Sequence, residues 1–221
     1  MSIPKSPIIA ADIVIFTIEN NELKVLLIKR TQRPFQNYWA LPGGFLHDKE
    51  TTQATANRIL RNKAGINNVY VEQLYTFDSV WRDPRGRIIS ITYFALVPHQ
   101  NIKIMFVKNI QTPTLFSIKK MPPLAFDHKN IIKYAQKRLQ SKLEYTNVVF
   151  SLLPKYFSFN QLQKTYETIL GRKLDKRNFR KKFEFLKLIK PTKKALTGNR
   201  QRPARLYYFA SRKLTELKKF F

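Results

Sequence analysis

Between Gly44 and Ile66 the chain reads G-F-L-H-D-K-E-T-T-Q-A-T-A-N-R-I-L-R-N-K-A-G-I, setting Glu50 and Arg58 ahead of Ile59, Asn62 and Lys63. Residues 51–64 have the form of a helix, with Thr51 and Thr52 at its start and Gly65 as its stop. Side chains three and four apart on such a helix share a face. Carboxylates there would gather around a divalent ion, but an aliphatic group, an amide and a cation cannot. A hard cation needs anionic oxygen, and Lys63 would repel it. A second chemically pointed stretch lies at Lys176, Arg177, Asn178, Arg180 and Lys181, on a segment whose other face is Phe179, Phe183 and Leu186. Arginine and asparagine in that setting suit guanine and adenine edges, and lysine suits phosphate.

The first stretch resembles the Nudix box, G-x5-E-x7-R-E-U-x-E-E-x-G-U, without insertion. Gly44, Glu50, Arg58, Leu60, Gly65 and Ile66 match it, and Trp39-Ala40-Leu41-Pro42-Gly43 precedes it as in many Nudix proteins. Ile59, Asn62 and Lys63 stand where the family has its three later glutamates, which hold magnesium on a diphosphate. The resemblance implies a Nudix α/β/α sandwich that holds a nucleoside-diphosphate ligand without cutting it, with no catalytic residue, no metal and no cofactor. A diphosphate without magnesium needs fixed cations, and Arg30, Lys63, Arg85 and Arg87 are available. Lys63 either replaces the ion as a fixed charge or is a surface lysine. Phe35 stacks on a base or packs beneath its loop. Glu50, also a candidate for the ligand site, pairs with Arg58 to brace the box.

With 221 residues, 43% of them apolar and 13% aromatic, the chain has ample material for one large or two small packed domains. Its net charge of +27 exceeds what solubility requires and calls for a polyanionic partner. Nucleic acid leads; a membrane partner is not expected, since there is neither a stretch of about 20 apolar residues nor a basic amphipathic segment with an apolar face. Ile8 to Ile18 reads as a strand rather than a signal peptide, because Asp12 interrupts it. Without cysteine there are no disulfides and no thiol chemistry, and the cytoplasm is the expected compartment. His47, His99 and His128 lack metal-ligand spacing.

The positioning elements follow an α+β order: strands at Ile8–Ile18, Leu23–Lys29, Val69–Phe77 and Ile88–Val97, with the helix at 51–64 between the second and third. Met121-Pro122-Pro123 punctuates the chain, and Asp127 is placed to cap a connecting helix over 127–143. The expected domains are 1–125, the connection 126–145, and 146–221. The last of these carries +16 of the charge. It reads as short helices at Thr146–Leu153, from Ser158 to Gly171 and from Asp175 onward, then strands near 188–194 and 204–210 around a basic loop. Three helices and a two-stranded wing make a winged helix-turn-helix, its third helix suited to the major groove and its wing, with Arg200, Arg202 and Arg205, to backbone or minor groove.

Three further phrases carry a resemblance over nearly the whole chain: Arg82-Asp83-Pro84-Arg85-Gly86-Arg87-Ile88-Ile89-Ser90, the run Ile169 to Arg180, and Arg202-Pro203-Ala204-Arg205-Leu206-Tyr207. They are similar to the Nudix-related transcriptional regulators of NAD metabolism, the NrtR family. That resemblance implies a homodimer on a palindromic double-stranded DNA operator, acting as a repressor and released by an effector such as ADP-ribose or a related nucleotide or sugar metabolite. Two other classes stand beside it: a metal-dependent Nudix hydrolase of the ADP-ribose pyrophosphatase kind using Glu50, and an RNA-binding module argued from charge.

Overall fold

The computed structural model describes residues 6–102, 113–196 and 204–217. Arg200 and Arg202 lie outside them. The chain divides into two compact units within one helix, between Ala135 and Gln136, with Ile18–Leu23 grouped with the second unit.

In the first unit β1 (Ile8–Glu19) is the central strand of a sheet ordered β3-β2-β1-β6-β5, where β2 is Glu22–Lys29, β3 Trp39–Ala40, β5 Tyr70–Phe77 and β6 Ile88–Leu96. β1 runs parallel to β6, with Ile8 opposite Ile88 and Phe16 opposite Leu96. Two short strands, β4 (Gly43–Phe45) and β7 (Thr114–Ser117), pair antiparallel with β1 and β2. The continuous apolar run of β1 is what a strand buried on both faces requires, and Ile13 to Phe16 are fully buried.

Helix α1 (Thr52–Ala64) begins where Thr51 accepts a hydrogen bond from the Ala54 amide and ends at Gly65, whose φ of +64° suits a residue without Cβ. Ala56, Ile59, Leu60 and Ala64 pack against Ala11, Ile13 and Ile15 of β1 in one cluster. A bulge between Gln73 and Tyr75 sets Tyr75 opposite Thr92 rather than Ile91, which turns Tyr75 and Phe77 to the sheet's other face. There they meet Tyr134 at ring distances of 5.1 and 5.9 Å. Tyr134 belongs to α2 (His128–Tyr145), so the sheet lies between two helices.

In the second unit, α3 (Phe159–Leu170) opens on a full capping box between Ser158 and Gln161 and stops at Gly171. Asp175 caps α4 (Lys176–Phe185) by accepting from the Asn178 amide. Phe159, Tyr166, Phe179 and Phe183 form one aromatic core, with Phe179 and Phe183 centroids 4.8 Å apart. Three strands complete the unit in the order β8-β10-β9, where β8 is Phe157–Ser158, β9 Ile189–Leu196 and β10 Ala204–Phe209.

The helix expected at Thr146–Leu153 is only a 3-10 turn, Val148–Ser151. The side chains that would start an α-helix are engaged elsewhere: Thr146 donates to the Lys142 carbonyl at 2.6 Å, and Asn147 clasps Lys213 and Thr215 at 3.0 and 2.8 Å. The back half of α2 supplies the missing helix, with Gln140 donating to the Ile169 carbonyl at 2.9 Å. Among the described residues no helix is long and apolar enough to cross a membrane.

Candidate effector pocket and nucleic-acid interface

A cavity of about 360 Å³ opens in the first unit, and its polar lining comes from five separate chain segments. Asp12 projects into it from β1, Arg30 from the end of β2, Lys63 from α1, Arg82, Asp83 and Arg85 from the loop before β6, and Phe126 and His128 from the start of α2. These side chains are spread from position 12 to position 128, so sequence spacing alone does not announce the site.

Its floor is a buried polar network. Arg82, 7% exposed, donates to both oxygens of Asp127 at 2.8 and 3.0 Å and to Asp12 at 3.4 Å. Asp12 also accepts from Ser90 at 2.6 Å. The Asp127 carboxylate, expected to cap α2, is thus taken by Arg82, while its backbone carbonyl accepts the Asn130 and Ile131 amides. His128 accepts from the Leu41 amide through Nδ1 at 2.9 Å, which leaves the proton on Nε2, 3.7 Å from Asp12. Burial holds its pKa below the ordinary histidine value, against the pull of Asp12 and Asp127.

The cations divide into two kinds. Arg85 is neutralised by Asp83 at 2.6 and 2.9 Å. Arg30 and Lys63 hydrogen-bond carbonyls instead: Arg30 reaches Pro34 at 2.9 Å and Gln32 at 3.3 Å, and the Lys63 amine reaches Gly43. Burial pushes both below their ordinary pKa values; the charge of Arg85 adds to this for Arg30, and Asp12 opposes it for Lys63. A Cβ on Gly43 would lie 2.1 Å from an Asp12 oxygen, so any other residue there would displace Asp12. Phe126 gathers the arginines, with Arg30 4.8 Å and Arg85 5.3 Å from its ring centroid.

Of the ligand residues expected from sequence, the pocket brings together Arg30, Lys63 and Arg85. Phe35 stacks edge-on behind Phe126 at 4.9 Å and is not on the lining. Glu50 holds Arg58 through both oxygens at 2.7 and 2.8 Å and accepts from Thr55 at 2.9 Å. Arg87 turns to the Asp78 carbonyl, away from the lining. Sequence reasoning passed over Asp12, Arg82, Phe126, Asp127 and His128; the one early signal was a charge, Asp12, inside an otherwise apolar strand. The donor set does not fit magnesium. Glu50 is committed to Arg58, Ile59 is buried, Asn62 is exposed, and Lys63 brings a cation to the cavity. Among the described residues no three His, Cys, Asp or Glu side chains cluster to hold a metal ion.

In the second unit, α4 buries Phe179 and Phe183 and exposes Lys176, Arg177, Asn178, Arg180 and Lys181. Arg180 is partly engaged, over the Phe159 ring at 4.6 Å and 3.9 Å from Glu184. Arg205 is exposed on β10. The face therefore carries Lys176, Arg177, Asn178 and Lys181 as its most available polar groups.

The NUDIX domain family matches residues 8–135, and the NrtR DNA-binding winged helix domain matches residues 149–209. The chain is 37% identical to the ADPR responsive transcriptional repressor NtrR of Acinetobacter baylyi, over 93% of this chain and 83% of that one. It is 35% identical to an ADP-ribose pyrophosphatase of Methanocaldococcus jannaschii, over 58% of this chain and 72% of that one. Shewanella oneidensis NrtR, crystallised with a 27mer DNA, superposes with a TM-score of 0.82 at 34% identity, covering 91% of this chain and 93% of that one. The NUDIX domain of the same protein, crystallised with ADP ribose, gives a TM-score of 0.56 at 34% identity, covering 61% of this chain and 90% of that one.

Proposed function

Because this chain belongs to the NrtR family, joining a NUDIX domain to an NrtR DNA-binding winged helix domain, we propose that it is a transcriptional repressor released from its operator by ADP-ribose or a close nucleoside-diphosphate relative. The observation that carries the effector half is the cavity itself, where Arg30 and Lys63 bring positive charge and, among the described residues, bond to carbonyls and not in an ion pair with a carboxylate. A diphosphate supplies the missing anion, and Arg85, already held by Asp83, stands on the same lining. No metal is needed for that binding, and the domain hydrolyses nothing, because Glu50 is the one glutamate position of the box that keeps its carboxylate and Arg58 already holds it.

The repressor acts in the cytoplasm as a homodimer, each α4 entering the major groove of one half-site about one helical turn from the other. Effector binding releases DNA only to the extent that it favours the arrangement unable to span both half-sites. The test is anisotropy of a labelled operator, found as an inverted repeat beside the gene, titrated with the chain at rising ADP-ribose. The affinity should fall by about 5- to 150-fold, and saturating operator should weaken ADP-ribose binding, measured by calorimetry, by the same factor. Tight ADP-ribose binding unchanged by operator would end the sensor reading. Magnesium-dependent release of AMP from ADP-ribose, lost in Glu50→Gln, would replace it with a hydrolase.

A further inference from the structure

Phe185 closes α4 with its side chain 83% exposed, although the two other phenylalanines of that helix are 3% and 0% exposed. At 100° per residue, Phe179 and Phe183 define the buried side, and Phe185 falls almost opposite them, beside Lys181 and between the directions of Arg177 and Asn178. An apolar ring of this size, at the C-terminal end of a helix face that carries Arg177 and Lys181, gains nothing from water and cannot pair with phosphate. Its neighbours on the same face carry positive charge, so the partner that covers it is polyanionic and must also offer an apolar group. Duplex DNA offers one such group in the major groove, the 5-methyl of thymine.

We propose that Phe185 reads sequence by laying its ring against a thymine methyl group, as a specificity residue about two helical turns beyond Arg177 and Asn178. This rests on α4 being the DNA-facing helix. Lysines on phosphates position the helix and carry no sequence information; an apolar contact with one methyl does.

The full chain should be used to select duplexes from a random-sequence pool, and the selected duplex then remade with each thymine in turn replaced by deoxyuridine, which removes only the methyl. At one thymine in each half-site the replacement should weaken the native chain about fourfold, the equivalent of ~0.8 kcal/mol for one methyl-sized group. Phe185→Ala, verified as folded by its circular dichroism melt, should bind the thymine and uracil duplexes equally. If every uracil replacement weakens the native chain and Phe185→Ala alike, the proposal is wrong. It is equally wrong if Phe185→Ala loses the same factor on selected and random DNA, or if its effect is a change of oligomeric mass with thymine dependence intact. Failure of the native chain to select any sequence would instead overturn the DNA-binding reading on which the proposal rests.

Discussion

Arg82 and Asp127 meet through two parallel hydrogen bonds of 2.8 and 3.0 Å, so the loop that lines the cavity is tied to the first turn of α2. Both charges are largely withdrawn from water, with Arg82 further steadied by Asp12. Arg82→Ala would leave two carboxylates facing a void, and breaking a buried pair in this way costs about 3–5 kcal/mol. Arg82→Lys should recover only part of this, since an ammonium cannot serve both Asp127 oxygens. Urea denaturation of the two variants measures both effects.

The Glu50–Arg58 brace predicts a stability change confined to acid. The Arg58 hydrogen bond, helped by Thr55 and opposed by burial, holds the Glu50 pKa down to about 2 from an ordinary 4.5. A depressed carboxylate contributes stability that is whole above the unfolded value and is lost as pH falls through the folded one. The native chain should therefore exceed Glu50→Gln in denaturation midpoint at pH 6, and the gap should close between pH 4.5 and 2. A gap that stays constant over that range would show that the brace is not electrostatic.

Lys63→Glu reverses the charge that α1 brings to the cavity and sets a carboxylate near Asp12. ADP-ribose affinity should drop by about 10- to 100-fold, the range of a lost charge-assisted hydrogen bond, while operator binding without effector is unchanged. Calorimetry and anisotropy report the two halves separately, and a parallel loss of both would point to misfolding instead.

Arg177→Ala and Lys181→Ala should differ in kind. Removal of a base-contacting arginine should cost about 1–3 kcal/mol on the operator and relax preference at one position, whereas removal of a phosphate-contacting lysine should weaken specific and random DNA together and lower the salt slope by about 1. Competition binding at several salt concentrations separates them.

The elements legible in the sequence are those closed by local bonds. Thr51 and Gly65 bound α1, Ser158 and Gly171 bound α3, and Asp175 starts α4, each through contacts within a few residues. The same reasoning failed at Thr146 and Asn147, whose side chains have the chemistry of helix starters but bond to Lys142, Lys213 and Thr215. Strands β3, β4 and β7, of two to four residues, are too short to show a period. The cavity was half visible. Arg30, Lys63 and Arg85 were found because cations near a degenerate motif suggest an anion. His128 was passed over because its partners, Leu41 and Asp12, stand 87 and 116 positions away.

Ile59 makes the core itself hostile to a carboxylate at its position in the box. It occupies a position where the Nudix box has a glutamate, is 1% exposed, and packs with Ala11, Ile13 and Leu60 in the core beneath β1, its side chain 3.6 Å from where a Cβ on Gly44 would sit. A carboxylate restored there would have to be buried among hydrocarbon without a partner, which costs several kcal/mol in its neutral form alone. Ile59→Glu would thus consume much of a fold's margin of about 5–15 kcal/mol whether or not a metal were present. At this position the apolar packing of the core, before any question of metal coordination, sets the first barrier to a carboxylate.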